Sequence, residues 1–118
     1  MIGHAVKLLT LAAIIVSLFG SSTAEAKSYT KSELQKMIKA KKYPKTENPR
    51  EESRSFDFKM CRAIVNDDRM EKDEEGYPTL VVRETKDLII VKIWQSHMMT
   101  ISTCKDGNLT NVDYDYSL

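Results

Sequence analysis

Residues 77–104, YPTLVVRETKDLIIVKIWQSHMMTISTC, are the densest apolar segment after residue 26, and their reading decides the fold. β-Branched and aromatic side chains dominate the segment, and turn-prone residues interrupt it at 84–87 and 95–97. It therefore reads as three short strands, 79–85, 88–94 and 98–104, with Pro78 opening the first. Leu88, Ile89, Ile90 and Val91 put apolar groups on both faces of the middle strand, as expected of a central strand covered on each side. In the third strand Met99, Ile101 and Thr103 alternate with Met98, Thr100, Ser102 and Cys104.

Downstream, Lys105-Asp106-Gly107-Asn108 contains Asp-Gly, a strong hairpin signal. Residues 109–116 then pair back as a polar strand. Their alternation of Asp113 and Asp115 with Tyr114 and Tyr116 suits the edge of a sheet, where charge discourages aggregation.

Upstream, residues 66–76 (NDDRMEKDEEG) hold six acidic and two basic side chains and read as a solvated connection. They lack the ligand register of a calcium loop. Residues 55–65 alternate Phe56, Phe58 and Met60 with Asp57, Lys59 and Cys61 and continue through Ala63, Ile64 and Val65, which predicts a strand. That alternation sets Cys61 opposite the phenylalanines. A bridge from Cys61 then lies on the outer face of the sheet, or else a bulge near 61–63 resets the phase. Residues 43–54 (YPKTENPREESR) contain two prolines and nothing apolar beyond Tyr43, so they read as a loop. Before them, Thr30 and Glu33 form a capping-box pattern, Tyr29 and Leu34 a hydrophobic staple, and Leu34, Met37 and Ile38 an apolar stripe. Pro44 forbids continuation, which predicts a helix over 31–42.

Residues 1–26 carry Lys7, an apolar run over 8–19 and the ending Ala24-Glu25-Ala26, the pattern of a secretory signal peptide. The run is 12 residues long, against the roughly 20 needed to span a bilayer, so removal is expected and not a stable membrane anchor. Residues 27–118 then form one small domain, periplasmic in a Gram-negative host and otherwise secreted. Both cysteines fall within it, and an oxidising compartment implies a Cys61–Cys104 disulfide. Closing a loop of that length removes about 4 kcal/mol of unfolded-chain entropy. The expected fold is α+β: one N-terminal amphipathic helix on a four- to five-stranded antiparallel, meander-like sheet, with one disulfide.

Net charge is +1, but residues 27–54 hold nine basic and four acidic groups and residues 55–118 eight and twelve. A chain polarised in this way lacks the uniformly basic signature of a nucleic-acid binder. Lys36, Lys39, Lys41, Lys42 and Lys45 cluster where a helix dipole favours positive charge, and they are equally a candidate patch for a polyanion. His97 is the one histidine beyond residue 26. No nucleophile motif accompanies it, and no carboxylate pair has the apolar shielding that acid–base work requires. No catalytic, cofactor or metal residues are therefore assigned. Trp94, His97, Met98 and Met99 gather at one turn and form a candidate recognition tip, since Trp and Met are enriched at interface centres. Asn108-Leu109-Thr110 matches the N-glycosylation sequon. The functional expectation is an exported, non-enzymatic module binding an extracytoplasmic protein, as an inhibitor, immunity factor or accessory protein. The competing expectations are a small hydrolase using His97 with carboxylates, and a polyanion-binding protein using the lysine cluster.

Overall fold

In a computed structural model, residues 27–118 are described; the signal-peptide pattern lies outside them. The order is α1 (Lys31–Lys39), β1 (Thr46–Ser55), α2 (Phe58–Glu74), β2 (Thr79–Glu84), β3 (Ile89–Trp94), β4 (Met98–Lys105) and β5 (Asn108–Tyr116). The five strands form one antiparallel sheet in the order β1-β5-β4-β3-β2. Strands β2 to β5 are a meander, as expected. Helix α2 carries the chain from one edge of the sheet to the other.

Four expectations are overturned. Beyond Ser55, the last residue of β1, residues 55–65 are not a strand: from Phe58 the chain is helical, and the acidic stretch through Glu74 is the second half of that same helix. The apolar residues that matter are Phe58, Cys61 and Val65, spaced for one helix face, whereas Met60 stands exposed. Asp57 caps the helix by accepting a hydrogen bond from the Met60 amide at 2.8 Å. At the other end Gly76, at φ +96°, lets its own amide reach the Asp73 carbonyl and the Tyr77 amide reach the Lys72 carbonyl, both at 3.0 Å. This paired closure needs a left-handed residue, which glycine supplies without a Cβ penalty.

The second correction concerns 43–54, which is not wholly a loop. Strand β1 begins at Thr46 and buries no side chain; its order comes from backbone pairing with β5 and from polar cross-strand contacts. Asn48 at φ +55° and Pro49 sit in a register shift between Glu47 and Arg50. As the third correction, β5 is not an edge: β1 covers it on one side and β4 on the other.

The N-terminal helix ends at Lys39, not 42. Thr30 and Glu33 make the expected capping box, each side chain bonded to the other's backbone amide at 3.1 Å. Lys41 takes a left-handed conformation at φ 58°, and the Lys41 and Lys42 amides close on the Ile38 and Met37 carbonyls.

The sheet separates two cores. On one face Ile89, Val91, Ile93, Cys104 and Leu109 meet Cys61 and Val65 of α2, with Phe56 and Phe58 at the margin. The Cys61–Cys104 disulfide fastens helix to sheet there, with Cα atoms 5.9 Å apart and both residues buried. The bridge thus lies inside the core; helical phasing removes the choice between an outer-face bridge and a bulge. On the opposite face Leu34 of α1 packs with Trp94, Met99 and Tyr116, flanked by Tyr29, Ile38, Tyr77, Ile101 and Tyr114.

Candidate functional site: the open half of the sheet

Helix α1 covers only one end of its face. Beyond that end the register lays two rows of side chains across the sheet. One row is Leu80, Lys92, Ile101, Val112 and Glu51; the next is Arg83, Ile90, Thr103, Thr110 and Ser53. Ile90 and Val112 belong to neither core and are only half-buried, and Leu80 is exposed. This open half-face has an apolar centre (Leu80, Ile90 and Val112, bordered by Ile101 of the α1 core) and a rim of hydroxyls and charges.

Charge is divided by the same sheet. Lys36, Lys39, Lys41, Lys42 and Lys45 lie on α1 and the segment after it, all exposed, and none forms an ion pair with a described residue. Helix α2, on the opposite face, carries the acidic run. The open half-face therefore shares its side of the sheet with uncompensated positive charge, which raises the local potential for an acidic partner.

The residues expected at a recognition tip are not displayed together. Trp94 is 2% and Met99 7% exposed, both within the core under α1, and Tyr43 stacks on Trp94 at 5.8 Å with an 18° interplanar angle. Met98 is half-buried, and its sulfur lies 3.8 Å from the Thr100 hydroxyl, which donates its proton to Asp113 at 2.6 Å. Only His97 projects into solvent. The Tyr116 hydroxyl donates to the Gln95 and Met98 carbonyls and so pins the turn from inside. Burial, with Tyr29 nearby, raises the Tyr116 pKa far above that of a free phenol. The turn is a structural closure, and its aromatic and sulfur content reflects core packing.

His97 shares a depression with two carboxylates and forms an ion pair with neither. It lines a shallow depression of about 260 Å³ with Lys27, Glu47, Asn48, Asp115, Tyr116 and Leu118. Arg50 holds Asp115 at 2.9 Å, and Asn48 also donates to it. These bonds, the Arg50 one foremost, keep the Asp115 carboxyl below the usual carboxylate range, so it is firmly ionised. No serine, threonine or cysteine lines the depression. Among the described residues no three His, Cys, Asp or Glu side chains converge on a point that could hold a metal, and no helix is long and apolar enough to cross a membrane.

Sequence reasoning missed Arg50, Ile90 and Val112. Arg50 sits in a segment without apolar residues and offers no signal. Ile90 and Val112 were legible as strand residues, but their exposure depends on how far α1 reaches. No family model, curated protein or solved structure matches the chain.

Proposed function

We propose that the protein is an exported, non-enzymatic module that binds an extracytoplasmic protein partner through the open half of its sheet. The observation that carries this reading is the apolar centre at Leu80, Ile90 and Val112, outside the α1 core that Ile101 borders, on the same side of the sheet as five lysines that form no ion pair among the described residues. Apolar centres with polar rims are the usual anatomy of a protein interface, and the lysines select a partner with acidic borders. Export rests on the signal pattern over 1–26 and is compatible with the disulfide. Intact mass of the exported species, beginning at Lys27, would test that half of the reading.

Binding is tested by affinity capture from the exported fraction with the wild type, Ile90→Lys and Val112→Lys side by side. A partner recovered repeatedly by the wild type and lost by both folded variants supports the reading. Repeated recovery of none, or of proteins indifferent to both substitutions, contradicts it.

The meeting of His97, Glu47 and Asp115 around one depression favours a second reading, a small hydrolase. Ionised Asp115, already engaged by Arg50, suits orientation of an imidazole better than proton donation. Loss of a hydrolytic activity in folded His97→Ala would establish that reading, and unchanged activity would exclude it. Polyanion binding through the lysine cluster is distinguished by salt: such binding falls steeply with ionic strength, whereas binding centred on Ile90 and Val112 does not.

A further inference from the structure

The two edges of the sheet are finished differently. Strand β1 is charged along its length and interrupted by Pro49 and a bulge, devices that prevent further strand pairing. Strand β2 ends the other edge with Leu80, Val81 and Val82 exposed at 39%, 36% and 47%. The orientation of its backbone follows from two bonds. The Trp94 amide donates to the Pro78 carbonyl at 3.1 Å and the Thr85 amide to the Leu88 carbonyl at 2.8 Å, which fixes both ends of the ladder to β3. Because antiparallel pairs alternate, the amides and carbonyls of Thr79 and Val81 point away from β3, and past the register shift between Val81 and Arg83 so do those of Glu84.

We infer that a second copy of this chain pairs antiparallel on β2, about a twofold axis at Val81 and perpendicular to the sheet. The strand is complementary to itself in that register. Val81 exchanges backbone hydrogen bonds with Val81 of the second copy, Thr79 pairs with Glu84, and Leu80 lies beside the bulged Val82-Arg83 of the other strand. No like charges face one another, and apolar side chains meet at the axis. The result is an isologous dimer with a continuous ten-stranded sheet, a number that follows from doubling the five strands of one copy. The axis keeps both open half-faces on the same side, so dimerisation doubles the proposed binding surface. The contact is one strand wide, which places it among weak, reversible associations.

Sedimentation equilibrium on the protein as the cell processes it, over the micromolar to millimolar range, is the test. The wild type is expected to pass reversibly from monomer to dimer. Val81→Pro removes an amide that β3 does not use, and Val81→Lys sets like charges across the axis. Each is expected to weaken association by about tenfold or more. Mixing Val81→Lys with Val81→Glu is expected to restore a dimer that neither forms alone, an outcome available only to a residue on the axis. Circular dichroism confirms the fold of each variant, and the lysine and glutamate pair carries the test if the proline variant fails to fold. A wild type that stays monomeric throughout, a dimer unaffected by these substitutions, or a mixture that does not recover would each overturn the inference.

Discussion

The two faces of this sheet are made from the same residue types and finished in opposite ways. Ile89 and Ile90 are neighbours on β3; the first is fully buried beneath α2, while the second is only partly buried on a face that α1 covers at one end. One face is closed by a 17-residue helix and a disulfide, the other by a 9-residue helix at one end. Side chains on the closed face hold the domain together. Those on the open half-face are only partly buried and are expected to contribute less to folding.

The largest expected effect is at the disulfide. Replacing Cys61 and Cys104 together by Ala removes the crosslink and two core side chains, and a loss of about 4 kcal/mol or more is expected in denaturant unfolding. An unchanged midpoint would show that α2 does not depend on its staple. On the α1 side, Leu34→Ala should cost about 2–4 kcal/mol, because Leu34 is the one fully buried side chain of that helix. A near-neutral result would mean that α1 merely rests on the sheet. Thr30→Ala sharpens the same point, with about 1 kcal/mol expected from loss of the cap in thermal unfolding.

Acid titration probes one carboxylate on α1 and one on β5. Bonding to the Thr30 amide foremost holds the Glu33 pKa below its ordinary value, and Arg50 does the same for Asp115. A carboxyl depressed in the folded state stabilises above its unfolded pKa, and that stability is lost as pH falls through the folded value. Both therefore contribute at neutral pH and stop contributing in acid, below about pH 4. Glu33→Gln and Asp115→Asn should each flatten the acid limb of the stability profile while leaving its alkaline limb unchanged. The smallest expected effect is at Lys41, whose left-handed backbone glycine adopts without penalty: Lys41→Gly should be neutral or stabilising by up to about 1 kcal/mol.

These contrasts also explain what could be read from the chain. The β2–β5 meander was legible because its apolar runs are bounded by Pro78, Lys86-Asp87 and Asp106-Gly107. The disulfide followed from two cysteines and the compartment that the signal-peptide pattern leads one to expect. The α1 cap followed from Thr30 and Glu33. Helix α2 was misread because Phe56, Phe58 and Met60 alternate by chance across its N-terminal boundary. The helical spacing of Phe58, Cys61 and Val65, the Asp57 cap and the closing Gly76 were the better signals. Strand β1 left no apolar trace, since its pairing is carried by backbone and by contacts such as Arg50–Asp115 and Ser53–Thr110. The Trp94–Met99 turn looked like a binding tip because interface centres and small cores draw on the same residues. Only the placement of α1 over it decides between them.

The most direct test is the unfolding free energy of Ile89→Ala beside Ile90→Ala. The same methylene groups leave the same strand from adjacent positions. A cost of about 2–5 kcal/mol is predicted for Ile89, and about 1 kcal/mol or less for Ile90. Equal, large losses at both would contradict the account, because the second face would then be core throughout and Ile90 would have no surface to offer a partner.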